Sequence, residues 1–186
     1  CGNKLGVLRI VDNSILDMSL ITGIMNSFCY DYILRMRMIA SSFNYFIMSE
    51  TPLIAKHRIS SDLRSKLALM ASALSNPGYI NAVHWILFNQ ELDISRLPLK
   101  QIWALTPHER LRLRCILDAA VAELYGLSYE DLSWILRDDP SDPKGFWRVD
   151  KEKPKELRHT TLTLEAFKRL KETGLDAFLA EDWQFP

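Results

Sequence analysis

Apolar side chains recur along most of this chain at helical spacing. Between Leu20 and Met36 they fall at Leu20, Ile21, Ile24, Met25, Phe28, Cys29, Tyr32, Ile33 and Met36, the i, i+1, i+4, i+5 pattern of one helical face. The spacing predicts a helix over 20–36, with Asn26, Ser27, Asp31, Arg35 and Arg37 away from its centre line. A second helix is predicted with Asp62 as its cap and Leu63, Leu67, Met70, Ala71 and Leu74 on its inner face, closed by Asn76-Pro77-Gly78. Residues 79–88 carry Tyr79, Ile80, Val83, Trp85, Ile86 and Phe88, which suit either a buried helix or a strand. Pro98 is placed to open a short helical turn ending at Trp103.

The sharpest start signal is Thr106-Pro107-His108-Glu109, a capping box with proline at the first helical position. It launches a helix with Leu113, Ile116, Leu117, Ala120, Val121 and Leu124 facing inward. Gly126 stops that helix, and Ser128-Tyr129-Glu130-Asp131 caps the next through about Arg137, which completes a helical hairpin. Residues 138–159 are polar, with Pro140, Pro143 and Pro154, and read as a long loop. Gly145-Phe146-Trp147-Arg148-Val149 within it is too apolar for plain linker. Thr163 is expected to cap a helix that Gly174 ends after Thr173, before a last turn carrying Leu175, Phe178 and Leu179.

Two segments break the helical period. Residues 5–11 and 43–48 are rich in β-branched or aromatic side chains and are predicted as short strands. The expected fold is therefore mainly α with a minor β component, packed around the 20–36 helix and the 107–137 hairpin. Residues 1–60 form one region and 61–186 a helical C-terminal one. A lone strand needs a sheet that this chain barely supplies. The chain also starts at Cys1, with neither methionine nor the charged and apolar regions of a signal peptide. Both points lead to the expectation of a piece cut from something larger. A lipid-anchored start is disfavoured because Leu5 to Val11 reads as a buried strand where a polar tether belongs.

Composition narrows the function classes. The 186 residues are 48% apolar and 25% charged, with 23 basic and 23 acidic side chains. That is enough to bury a core unaided and excludes general disorder. Zero net charge argues against a strongly basic, self-sufficient nucleic-acid binder, though not against a contributing module. No apolar run is long enough to span a membrane. Cys1, Cys29 and Cys115 are far apart and lack metal-ligand spacing, as expected of a reduced, cytoplasmic protein. His57, His84, His108 and His159 are scattered, and no glycine-rich phosphate loop, nucleophile elbow or carboxylate cluster is present. Asn76-Pro77-Gly78-Tyr79 is similar to the Asn-Pro-Pro-Tyr loop of amino-methyltransferases, but without a β-run or methyl-donor loop before it, it reads as a helix stop. The basic positions are more informative. Arg110 and Arg114 share a helix face, Lys56-His57-Arg58 lies with Arg64 and Lys66, and Arg148, Lys151, Lys153, Lys155, Arg158 and His159 accompany Phe146 and Trp147. Such mixtures suit phosphate contact and stacking, although Asp150, Glu152 and Glu156 offset much of the last group.

Several runs together resemble a known family. Asn26-Ser27, Asp31-Tyr32, Leu34-Arg35, Ser42-Phe43-Asn44-Tyr45-Phe46 and Thr51-Pro52 resemble the C-terminal part of large single-chain adenine-specific DNA methyltransferases of restriction-modification and phage-defence systems. There a helix reading like "LLNS…DYLLR" precedes "LNYF" and a proline. Glu109-Arg110-Leu111-Arg112 through Leu124-Tyr125-Gly126-Leu127-Ser128 looks like that family's "R-x-x-LDA-x-x-A-x-LYGLS" hairpin. Gly145 to Lys151, Glu156-Leu157-Arg158-His159-Thr160 and Leu162-Thr163-Leu164-x-Ala166-Phe167 resemble its terminal segment. The likeness spans most of residues 20–186, and the shared order of loose motifs carries it.

The resemblance implies a target-recognition or helical C-terminal portion whose catalytic domain, with S-adenosylmethionine, lies upstream. The fragment itself would hold no cofactor. Its partners would be double-stranded DNA and that catalytic domain. Arg35, Arg37, Ser42, Asn44, Lys56 and Arg58 are the expected DNA contacts, because two basic residues at a helix end adjoin a polar, aromatic loop. The rival expectation is a helical scaffold that packs on the catalytic domain or another subunit and never touches DNA, favoured if Trp147, Trp183 and Phe185 are exposed. A freestanding hydrolase finds no nucleophile–base pair and no Asp…Glu-x-Lys triad in the sequence.

Overall fold

In the computed structural model, residues 14–38, 45–75 and 81–185 are described. In chain order the helices are α1 (Ile15–Met25), α2 (Phe28–Arg37), α3 (Tyr45–Glu50), α4 (Ser61–Ser75), α5 (Ala82–Glu91), α6 (Leu99–Ile102), α7 (Pro107–Leu124), α8 (Tyr129–Ile135), α9 (His159–Thr173) and α10 (Leu175–Ala180). Single 3-10 turns at Lys56–Arg58 and Lys155–Leu157 precede α4 and α9. Helix α7 is the central element. It is buried on nearly every side, with Ala119, Ala120, Val121 and Ala122 fully enclosed, and small side chains at these positions let neighbours approach closely. Helix α9 packs along one flank of α7, while α4 packs on another and holds α1, which itself also reaches α7. Gly23 makes the α1–α4 approach possible, since a Cβ there would lie 3.0 Å from the Cβ of Ala71. One apolar core runs from Ile15, Leu20 and Ile24 through Leu67, Phe88 and Leu117 to Phe167, Phe178 and Trp183, crossing residue 60.

The helical expectation holds, but the minor β component finds no support: no strand occurs among the described residues. Residues 5–11 lie outside them. The strand expected over 43–48 is replaced at 45–50 by α3, with Tyr45 and Phe46 exposed. β-propensity measures fit to a half-buried pleated surface, and no neighbouring strand among the described residues offers one. The single helix expected over 20–36 is two helices. Asn26 ends α1, and the Ser27 backbone turns extended while its Oγ accepts from Tyr30 N at 3.3 Å. The apolar period hides this break, since Leu20, Ile24, Phe28 and Cys29 are buried on either side of it, although Met36 at its far end is exposed.

Boundary signals fare unevenly. The capping box expected at Thr106 forms by half, since Thr106 Oγ1 accepts from Glu109 N while the Glu109 carboxylate turns to Arg112, and the cap expected at Ser128 forms as a full box with Asp131. Gly126 and Gly174 take φ of 77° and 85°, conformations that favour glycine. The caps expected at Asp62 and Thr163 do not form. Ser60 Oγ accepts from Leu63 N at 3.3 Å, which leaves Asp62 to pair with Lys66. Helix α9 starts four residues before Thr163, which is fully buried inside it. Residues 79–88 resolve as helix from Ala82 onward.

Candidate functional site

The polar residues that come together lie where α2, α7, α9 and the 138–158 loop meet. Asp118 of α7 is buried and links three of these elements. Its Oδ1 accepts the first N–H of α2, from Phe28, at 2.8 Å, and its Oδ2 lies 2.9 Å from His159 Nε2 at the start of α9. The His159 ring also packs against Phe28, with 4.6 Å between centroids. Phe146 from the loop is buried against the same Phe28, edge-on at 4.8 Å.

Arg35 binds that loop to α2. Its guanidinium forms a fork with Asp31 at 2.7 and 3.0 Å and donates to the carbonyls of Lys144 and Gly145 at 3.2 Å each. It lies 4.3 Å above the Phe146 ring. Asp150 holds the other end of the loop in a left-handed conformation (φ 52°). Its carboxylate accepts from Lys153 Nζ at 3.0 Å and from His159 N at 3.3 Å. Burial alone would raise the Asp150 carboxyl, but these bonds and the charges of Lys153 and His159 bring it below the usual carboxylate range.

These elements enclose a cavity of about 430 Å³ lined by Asn26, Ser27, Phe28, Arg110, Arg114 and Leu117 among others. A second cavity of about 520 Å³ shares Arg110, Arg114, Val149 and His159 with it, so the two form one cleft. Arg110 donates to the carbonyls of Leu74 at 2.8 Å and Ala104 at 3.2 Å. Arg114, one turn further along α7, is exposed and has no ion pair among the described residues.

Among the described residues expected to contact DNA, only Arg35 lies in this cleft, and its charge is engaged within the fold. Arg37 points elsewhere and lies 3.6 Å from Glu50 of α3. Lys56 pairs with Asp17 at the start of α1, and Arg58 is exposed on the same 3-10 turn. Ser42 and Asn44 lie outside the described residues. The four described positions, Arg35, Arg37, Lys56 and Arg58, are not gathered into one site. Sequence reasoning placed Arg110 and Arg114 on one face but did not foresee Asp118 and His159 beside them. Nothing local signals contacts across such separations.

Catalytic chemistry finds little to use. Ser72 Oγ donates to Ser19 Oγ at 2.8 Å and lies 3.2 Å from His84 Nε2, but Ser72 is enclosed between helices and closed to substrate. The Cys29 thiol is pushed up to about 12, first by burial and then by Asp118, and Cys115 is pushed up for the same reasons. Among the described residues no three His, Cys, Asp or Glu side chains are grouped to hold a metal ion, and no helix is long and apolar enough to cross a membrane. No family model, curated protein or solved structure matches the chain.

Proposed function

We propose that this chain is the DNA-handling, specificity-conferring C-terminal portion of an adenine-specific DNA methyltransferase, with methyl transfer and S-adenosylmethionine belonging to a catalytic domain outside it. One observation supports the reading above the rest: the motifs that carry the resemblance converge on the cleft. Asn26-Ser27, Asp31 and Arg35 come from the first motif, Arg114 and Asp118 from the hairpin, and Phe146, Val149 and His159 from the terminal segment. An enzyme that extrudes a base needs a separate surface to grip and position the duplex, and a cleft with cations on its walls is suited to that task. Arg37, Lys56 and Arg58 would then serve as outer phosphate contacts.

The test is adenine methylation by the intact protein that contains this chain. Methylation confined to one sequence, and lost or scattered when residues 14–185 are deleted while the upstream domain stays folded, supports the reading. An intact protein that neither methylates nor binds duplex DNA refutes it.

A second reading has its own observation. Trp147, Trp183 and Phe185 are not exposed, but Val83, Ile86 and Leu87 on the outer face of α5 are, at 70%, 60% and 43%, and Trp134 is at 55%. Apolar side chains at i, i+3 and i+4 on a solvent face mark a surface that packs on another domain. That surface is compatible with DNA handling and would make the chain a scaffold only where DNA binding fails.

A further inference from the structure

Charges around the cleft do not cancel. Asp31 is taken by Arg35 and Asp150 by Lys153. Asp118 accepts the neutral Phe28 N–H and lies 2.9 Å from His159 Nε2, so its charge offsets one cation of the lining, and Arg110 and Arg114 together still leave the cleft net positive. Arg110 is fixed by two carbonyls, which are neutral, so its charge is held in place without being neutralised. A guanidinium has five N–H donors, and these two bonds leave others unused. Arg114 adds a second, exposed cation on the same face, with no ion pair among the described residues. The helix starts do not make the site, because Asp118 and Asp150 already take the first N–H groups of α2 and α9. The cleft also exceeds what a simple anion needs. Its lining includes Leu117 and the half-buried Val149, which offer an apolar edge beside the cations, with Phe146 buried behind them.

We infer that this cleft binds a phosphate group attached to a nucleoside unit, with Arg110 as the fixed cation, Arg114 as the exposed one, and the Leu117–Val149 edge facing the sugar or base. The same chemistry has two sources, a DNA phosphodiester or a free mononucleotide. The inference deepens the DNA-handling reading and rests on it only in taking DNA as the source.

The experiment compares the whole chain with its Arg114→Glu and Arg114→Lys variants. Binding of a labelled 20-base-pair duplex is followed by fluorescence anisotropy across salt, and binding of adenosine monophosphate by calorimetry. Arg114 is exposed, so both variants should keep the wild-type melting temperature; should Arg114→Glu unfold, Arg114→Gln replaces it. The expected result is about a tenfold weaker duplex affinity for Arg114→Glu, a salt slope shallower by about one, and near-complete rescue by Arg114→Lys. Mononucleotide binding that Arg114→Glu abolishes, with no duplex binding by the wild type, keeps the phosphate site and overturns DNA as its source. Duplex binding equal in wild type and Arg114→Glu overturns the phosphate site and leaves the DNA reading standing. Absence of both kinds of binding overturns the site.

Discussion

Replacing Arg35 by alanine tests whether this residue is primarily a clasp between α2 and the 138–158 loop. The substitution removes the fork to Asp31, the bonds to the Lys144 and Gly145 carbonyls and the stacking over Phe146. The ion pair is at i, i+4 with both side chains about a third exposed, so solvent screening limits it to about 0.5 kcal/mol. The two carbonyl bonds come from one nitrogen at 3.2 Å in a half-buried setting, worth together about 1–1.5 kcal/mol. Cation–π contact with a buried ring adds about 0.5–1 kcal/mol. Asp31, left alone, is open to water and carries little penalty.

The expected loss is about 2–3 kcal/mol, or a melting temperature lower by about 5–10 °C for a chain of this length. Arg35→Lys keeps the charge but not the planar fork, and should recover less than half of the loss. Urea denaturation measures the loss directly. Limited trypsin digestion provides a second readout, because release of the loop should speed cleavage after Lys144, Arg148 and Lys151 before the core is cut. A loss below about 0.5 kcal/mol, or unchanged loop cleavage, would refute the clasp and return Arg35 to the set of free phosphate contacts.

Three further outcomes follow from the same geometry. Asp118→Asn keeps an oxygen for Phe28 N but loses the charge facing His159, and should lower stability by about 2 kcal/mol in urea titration; an unchanged midpoint counts against Asp118 as the link between α2, α7 and α9. Cys29 and Cys115 should resist iodoacetamide at pH 8 until the chain unfolds, and rapid labelling of either in the native state, read by peptide mass spectrometry, contradicts their burial. Burial holds His84 below the ordinary histidine value of about 6.5. The unfolded chain therefore takes up a proton first, so the stability is whole above about pH 6.5 and declines as pH falls through the depressed value. His84→Gln should flatten that acid-side decline, and an identical pH profile in the variant would show that other groups produce it.

The local signals read correctly from the sequence are those complete within four residues. The N-caps at Thr106 and Ser128 and the glycines at 126 and 174 each need only near neighbours, and each forms where expected, although the Glu109 carboxylate leaves its half of the box for Arg112. Two of the errors are local as well, since Ser60 rather than Asp62 caps α4 and Ser27 caps α2, each three residues ahead of its donor; the others involve distant partners. Whether Asn26-Ser27 interrupts a helix or rides along its polar side depends on an acceptor at Asp118, 90 positions away. Where α9 begins depends on Asp150, which supplies the acceptor for His159 N, and Thr163 is left to fill the core. Tyr45 and Phe46 carry strand propensity without a strand to pair with.

The same distinction bears on which residues can work on a ligand. At three helix starts the first N–H is met by a carboxylate from elsewhere: Glu91 at α1, Asp118 at α2 and Asp150 at α9. Such groups trade their charge for order, since a carboxylate that caps a helix and pairs with a neighbour has no capacity left for a ligand. Arg35 and Arg112 are occupied in the same way, Arg112 by Glu109, Asp182 and the Trp183 carbonyl. Residues with many internal partners will therefore report on folding whenever they are changed. Arg110 is the intermediate case, tethered but not neutralised. Arg114 is the position where a substitution can alter recognition while the fold stays intact, and it is there that binding and stability measurements should part.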